Sequence, residues 1–284
     1  MAQRFSGKVA LITGASSGIG AAAARQFAAE GASVAVVART VDALERVAAD
    51  IRAAGGVARA FPADVGNPAA CGSLLAAVAG ALGGIDILVN NAGANKRGLV
   101  ERCNVDDLAH VVQVNLVAPI VLTGLALPYL RRRGGGAIVN VASIAGQIPV
   151  PHEATYSATK FGLRAFSFAL REELEGSGIS VSAVSPGPVD TGFIFAELDE
   201  VPPLVFANPM STADAVARLI LQCAADGRRE RTIPVSTGIL ARVGHAFPAL
   251  RRLLTPMLEK RGAAIKERYR ARQRAAADPA SEHS

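Results

Sequence analysis

Val9-Ala10-Leu11-Ile12-Thr13-Gly14-Ala15-Ser16-Ser17-Gly18-Ile19-Gly20 joins a short apolar run to a glycine-rich turn and the start of an alanine-rich stretch. The unbroken apolar run reads as a strand covered on both faces, and the alanines read as the helix that follows it. Gly14 permits a tight turn, Gly18 a close approach of phosphate to backbone, and Gly20 the packing of helix on strand. Free N–H groups at a helix N-terminus attract anions, so this strand, turn and helix suit a pyrophosphate. The spacing is G-x-x-x-G-x-G, which differs from the familiar G-x-G-x-x-G fingerprint. Taken alone, such a loop is also a plain strand-to-helix turn.

The same alternation continues through the chain. Strands are predicted at Val9 to Thr13, Ser33 to Ala38, Val57 to Pro62, Ile85 to Asn90, Ala137 to Ser143, Ile179 to Ser185 and Arg231 to Val235, with helices in the gaps. This βαβ pattern specifies a parallel sheet covered on both faces. No repeat or structureless interior linker divides the 284 residues, a length that one large α/β domain accommodates. Charges are expected to interrupt every apolar run short of a spanning helix. The N-terminus enters its first strand too early to leave room for a signal peptide, so a cytoplasmic chain is expected. Cys71, Cys103 and Cys223 are odd in number and widely spaced, the pattern of buried hydrophobes and not of a disulfide framework or metal site.

Further along stand Asp64-Val65, Asn90-Asn91-Ala92-Gly93, Asn115, Ser143, Tyr156-Ser157-Ala158-Thr159-Lys160 and Pro186-Gly187. With the glycine loop, and in this order, they make the chain from about Gly7 to about Val235 resemble the short-chain dehydrogenase/reductase family. That resemblance implies an α/β fold of Rossmann type: a doubly wound parallel sheet of about seven strands, here with a C-terminal helical extension. It implies one dinucleotide-binding and catalytic domain over residues 1–235; beyond the resemblance, the chain reads as an extension over 236–274 and a disordered tail over 275–284. Tyr156 would be the general acid in carbonyl reduction and the general base in alcohol oxidation. A lysine four residues on shares a helix face with it, so the Lys160 ammonium is expected to favour the phenolate. The resemblance also has Lys160 hydrogen-bond the nicotinamide ribose, Ser143 hold the substrate oxygen, and Asn115 support the site through a bound water.

Cofactor contacts carried over from the family fall on Gly14, Ser16, Ser17, Gly18, Ile19 and Gly20 of the loop, and on Asp64 and Val65 at the adenine end. Asn90, Asn91, Ala92 and Gly93 would pack against the cofactor, with Asn90 also bracing the sheet. Pro186, Gly187, Val189 and Thr191 would meet the nicotinamide amide and pyrophosphate. An acidic residue about 20 positions past the loop would select NAD by binding its ribose diol. Ala38 stands there instead, followed by Arg39, whose fork matches a 2′-phosphate. NADP is the expected cofactor. Ser17 occupies the place where some NADP-dependent relatives carry a second basic residue, which leaves some use of NAD open.

Residues 191–211 correspond to the family's substrate lid, and Phe193, Phe195 and Phe206 within it suit a small hydrophobic carbonyl or alcohol substrate, or merely pack the lid shut. His152 reads as an exposed loop residue. Dehydratase or epimerase chemistry is disfavoured because the loop of the extended relatives is absent; a non-catalytic NADP-binding sensor is the alternative reading. The resemblance further implies a homodimer or homotetramer built on the helix after Asn104 and the helix carrying Tyr156.

The extension departs from a minimal family member. From Arg228 to Arg274 there are thirteen Lys or Arg against three Asp or Glu, a local charge of +10, so the rest of the +6 chain carries −4. Ile239, Val243, Phe247, Leu250, Leu254 and Met257 recur at helical spacing, with breaks expected near Pro248 and Pro256. Three placements are open for this amphipathic stretch: over the substrate cleft, against another subunit, or on an anionic membrane as a peripheral contact. The basic run Lys266 to Arg274 lacks a nucleic-acid reading module, so no nucleic acid partner is expected.

Overall fold

The computed structural model describes residues 3–196 and 198–277. The chain alternates β1 (Val9–Thr13), α1 (Gly18–Ala29), β2 (Ser33–Ala38), α2 (Val41–Ala53), β3 (Val57–Pro62), α3 (Pro68–Leu82) and β4 (Ile87–Asn90). There follow α4 (Val105–Val112), α5 (Ala118–Arg132), β5 (Gly136–Val141), α6 (Ala154–Glu173) and β6 (Ile179–Pro186). A short parallel pair, β7 (Val189–Asp190) and β8 (Ser211–Thr212), brackets the lid helices α7 (Gly192–Phe195) and α8 (Pro203–Phe206). The chain continues through α9 (Ala213–Asp226), β9 (Glu230–Ile233), α10 (Val235–Ala246) and α11 (Pro248–Ala277). Seven strands form one parallel sheet in the order β3-β2-β1-β4-β5-β6-β9, the doubly wound Rossmann-type arrangement.

Period-two alternation distributes the apolar strand residues. Ala10, Ile12, Val34, Val36 and Val89 face α1, α2 and α9, where Phe27, Leu44 and Ile220 are fully or almost fully buried. Val9, Leu11, Val37 and Leu88 face α3, α5 and α6, where Leu75, Leu122 and Leu130 are buried. Apolar residues on both faces of the central strands therefore serve a core on one side or the other.

Strand ends differ from expectation for local reasons. β4 begins at Ile87, and the buried Asp86 before it, 1% exposed, ties strand to loop by accepting from Val9 N (2.9 Å) and Arg133 Nε (3.0 Å). β5 stops at Val141, since Ser143 caps a 3-10 turn over Ile144–Gly146 by accepting from Ala145 N at 3.1 Å. β9 stops before Pro234, and Val235 opens α10.

Two apolar expectations need correction. No Asp, Glu, Lys or Arg occurs between Leu108 and Leu130, so Val105–Arg132 is long and apolar enough to cross a membrane by length and composition. Here it forms α4 and α5 joined by a π-helical turn, and Leu122, Ala126 and Leu130 are buried against the sheet. In the extension, the chain does turn at Phe247, but Pro256 does not break α11. Pro256 is exposed, so the carbonyl that loses its helical partner there reaches water. α11 runs to Ala277, and the rest of the expected disordered tail lies outside the described residues.

The extension is seated on the lid. Ile265 and Tyr269 of α11 pack with Ile194, Leu198, Val201 and Phe206. Lys266 donates to Asp199 O at 2.7 Å and Val201 O at 2.8 Å. A Cβ on Gly262 would lie 1.9 Å from Pro203 O. An exposed helical glycine gains up to about 1 kcal/mol on replacement by alanine, whereas overpacking costs about 1–3 kcal/mol. Gly262→Ala is therefore expected to lower the melting temperature and to speed proteolysis within residues 192–206; a raised melting temperature would show that α11 is not seated there.

Candidate active site

β1 and β4 are neighbours, but the helices that follow them leave toward opposite faces, so a crevice opens at the carboxyl ends of these strands. The glycine loop crosses this crevice at van der Waals limits. A Cβ on Gly14, whose φ is +64°, would lie 2.8 Å from Ala92 Cα, and one on Gly20 would lie 2.3 Å from Gly14 O. Thr13 Oγ1 accepts from the N–H groups of Asn91 and Ala92, both at 3.0 Å, and donates to Val89 O at 3.3 Å. Asn91 Nδ2 returns bonds to Thr13 O (2.9 Å) and Gly14 O (3.1 Å). Ser17 N-caps α1 without a side-chain bond, so the first amides of this twelve-residue helix have no cap from it.

A cleft of about 480 Å³ follows the crevice. Gly14, Ser16, Ser17, Gly18, Ile19, Arg39, Asp64, Val65, Asn91, Ala92, Gly93, Ser143, Tyr156, Lys160, Pro186, Gly187, Val189 and Thr191 all line it. Gly20 and Asn115 lie behind its wall. The side-chain-free cradle beside the amide end of α1 fits a pyrophosphate. Arg39 is exposed at the end of β2, and Asp64 Oδ1 accepts from Gly66 N at 2.9 Å, so this aspartate is a turn residue as well as a lining one.

Asn90 does not face the cleft. It is 2% exposed, and its Nδ2 donates to Asn140 Oδ1 at 2.8 Å and Thr123 Oγ1 at 3.2 Å, beneath α5 and α6. Strand alternation puts it on the same face as Leu88, so it braces the sheet and cannot also pack on a cofactor.

Tyr156, Lys160 and Thr159 ride on α6, and Asn115 sits in the π-helical turn opposite. Asn115 Oδ1 accepts from Ala94 N, and its Nδ2 donates to Ala94 O, both at 2.8 Å, and to Thr159 Oγ1 at 3.2 Å. Its side chain is thus committed to fixing the Gly93-Ala94 strand exit against α6. Lys160 is 4% exposed and donates to Val141 O at 2.9 Å; burial lowers its pKa to about 8. Its ammonium lies 5.6 Å from the Tyr156 ring centroid. The expected depression of the tyrosine is not found in this arrangement. Burial, with the Glu153 carboxylate, pushes Tyr156 up to about 12, opposed by the hydrogen bond with Ser143 and the charge of Arg97.

Arg97 and Glu153 escaped the sequence reading. They form a buried pair, Arg97 Nε donating to Glu153 Oε1 at 2.9 Å, and both line the cleft. Asn95 Nδ2 donates to the same oxygen at 3.1 Å, and Arg97 Nη2 to Phe193 O at 3.4 Å. Arg97 also lies over the Phe193 ring, which neighbours the Tyr156 ring at 6.1 Å. The pair ties the start of α6 to the lid. His152 lies on an exposed loop with φ +64°. One side of the extension lies over the cleft: Leu240, Val243, Leu250, Leu254 and Leu258 line the pocket, and Arg251 Nη2 donates to Pro149 O at 2.6 Å.

Residues 8–200 match the family described as short chain dehydrogenase. The chain is 39% identical over 218 residues to the ketoacyl reductase HetN of Nostoc sp., covering 76% of each chain. It is also 39% identical over 191 residues to the 2,5-dichloro-2,5-cyclohexadiene-1,4-diol dehydrogenase LinX of Sphingobium indicum, covering 67% of this chain and 76% of the relative. A solved short-chain type dehydrogenase/reductase from Mycobacterium marinum superposes with a TM-score of 0.75 at 32% identity, over 81% of this chain and 94% of that one. The chain belongs to the short-chain dehydrogenase/reductase family. It is an oxidoreductase of CH–OH and C=O groups that uses a nicotinamide dinucleotide.

Two outcomes follow from the charges in the site. Removing the Glu153 carboxylate takes away a cause that raises the phenol, so Glu153→Gln should lower the Tyr156 midpoint from about 12 in a difference titration against Tyr156→Phe. The same change leaves Arg97 buried without its partner and should cost about 3–5 kcal/mol of stability. Lys160 has a folded pKa of about 8 against an ordinary 10.5, so its burial opposes folding most below pH 8 and ceases to do so above 10.5. Lys160→Met should therefore lose turnover yet melt at a higher temperature at pH 7, an advantage that shrinks as pH rises from 8 to 10.5.

Proposed function

We propose that this enzyme transfers hydride reversibly between NADP(H) and the carbonyl or secondary alcohol of a hydrophobic substrate. The carrying observation is the convergence of Ser143, Tyr156 and Lys160 on the one cleft that the glycine loop also lines. Gly14 to Ile19, with Asn91 to Gly93 and Pro186 to Thr191, would hold the dinucleotide, which supplies or accepts the hydride. The Ser143 and Tyr156 hydroxyls hold the substrate oxygen. In reduction the Tyr156 proton passes to that oxygen as the alcohol forms, and in oxidation the phenolate takes the proton back. Lys160, charged below pH 8, stabilises the phenolate once it forms. Asn115 holds Ala94 and Thr159 so that both halves of the site keep their spacing.

Support for NADP is the pairing of Ala38 with Arg39 at the end of β2, where no carboxylate opposes a phosphate. Support for an apolar substrate is the lining by Phe193, Ile194, Leu204, Leu240, Leu254 and Leu258. The two named relatives act on a ketoacyl group and on a ring diol, which suits a pocket that takes an alcohol or ketone on an apolar body. Val105 and Val112 of α4, which follows Asn104, and Ile120 and Leu125 of α5, joined to it through the π-helical turn, are exposed, in keeping with a homodimer or homotetramer built on this run and on α6.

Nicotinamide absorbance in the presence of a panel of hydrophobic ketones tests the reading. Turnover is expected with NADPH, and Arg39→Ala should raise KM for NADPH about tenfold or more, the worth of a charge-assisted bond, with little effect on NADH. Equal use of both cofactors by the parent would overturn the NADP assignment. NADPH binding with no turnover of any ketone would favour a sensor.

A further inference from the structure

α10 and α11 turn one side to the cleft and present another to solvent that is unusually apolar. Val235, Ile239, Phe247, Leu253 and Met257 are exposed by 65, 54, 62, 76 and 63%, and none of them lines the cleft. Val235 and Ile239 lie one turn apart on α10, Leu250, Leu253 and Met257 share a stripe of α11, and Phe247 stands at the elbow between the helices. Leu240, Val243 and Leu250 are 45, 38 and 43% exposed and also line the cleft, so the apolar surface runs into its mouth.

Exposed cations border this surface. Arg242, Arg252, Lys260, Arg261 and Arg268 form no ion pair among the described residues. They belong to the segment of charge +10 on a chain whose remainder carries −4. That charge decides between partners. A second copy meeting this face symmetrically would set these unpaired cations against their own counterparts, whereas a nucleic acid would satisfy the cations and leave the apolar side chains in water. An anionic leaflet satisfies both: basic residues are drawn to its headgroups, and apolar side chains enter the acyl boundary.

We propose that α10 and the first half of α11 form a docking surface for an anionic lipid bilayer, with the cleft mouth at Leu240, Val243 and Leu250 turned toward the membrane. The surface itself is independent of the reaction. Delivery of substrate from the bilayer to the cleft rests on the hydrophobic-substrate reading above.

Co-sedimentation of the full chain with vesicles tests the surface without any substrate. Binding is expected to vesicles of equal parts phosphatidylcholine and phosphatidylglycerol, to weaken in high salt, and to be lost on phosphatidylcholine alone. The triple variant Phe247→Glu, Leu253→Glu, Met257→Glu should reduce the bound fraction at least tenfold while its melting temperature stays near the parent's. Arg252→Glu with Arg261→Glu should remove the salt-sensitive part. Parent protein that stays in the supernatant overturns the proposal, as does a folded triple variant that binds like the parent. Dimerisation that the triple variant abolishes, without vesicle binding, assigns the face to a second copy; retention on duplex DNA without vesicle binding assigns it to a polyanion. Vesicle binding by a protein that turns over no ketone sustains the surface and counts against the catalytic reading alone.

Discussion

Everything in this molecule turns on how closely the backbone of the glycine loop approaches the exit of β4. Gly14 and Gly20 cannot carry a Cβ there, and the Thr13 hydroxyl stitches the two strand ends together through the amides of Asn91 and Ala92. Because β1 and β4 straddle the point where the sheet reverses its winding, this stitch also defines the floor of the crevice. Three residues past Asn91 the chain reaches Ala94, which Asn115 grips at both N–H and C=O. Asn115 in turn holds Thr159, next to Lys160. The loop that suits a pyrophosphate and the helix that carries the tyrosine are thereby kept in one frame.

The upper half of the site is held differently. Its walls are a lid and a C-terminal helical pair, joined by contacts of an ordinary hydrophobic core: Ile194 and Phe206 against Ile265 and Tyr269, with Lys266 satisfying two lid carbonyls. The Arg97–Glu153 pair crosses from the rigid half to this one, through Phe193. A buried ion pair is weak evidence for stability, because desolvation offsets much of its attraction. Its position three residues before Tyr156 makes it a positioning pair, setting both the charge around the phenol and the place of the lid.

Much of this could be read from the chain. Strands announced themselves because a parallel strand buried on two faces has to be largely apolar, and β1 and β2 begin and end where Val9–Thr13 and Ser33–Ala38 predict; β3, the partly exposed edge strand, also matches Val57–Pro62. The glycines were legible because only a missing side chain allows the approach they make. What escaped has equally physical causes. Arg97 and Glu153 are 56 residues apart and carry no local pattern, so only the folded chain brings them together. The π-helical turn at Asn115 leaves no periodic signature. The Leu108–Leu130 run was misjudged because its polar residues, His110, Gln113, Asn115 and Thr123, are uncharged. Asn90 could have been placed correctly, since alternation from Leu88 already sends it under α5 and α6. For the extension, the apolar stripe declared that some surface is covered, but a stripe does not say by what.

The central claim is that a cofactor-binding frame and a proton-transferring tyrosine are separate parts of one site. A single-turnover experiment with NADPH and a hydrophobic ketone, comparing the parent with Tyr156→Phe, tests it most directly. Removing one hydroxyl should leave NADPH binding, followed by its fluorescence, close to the parent's and slow hydride transfer by at least about a hundredfold, the lower end of what a positioned acid contributes. Transfer at the parental rate in the phenylalanine variant would contradict the account.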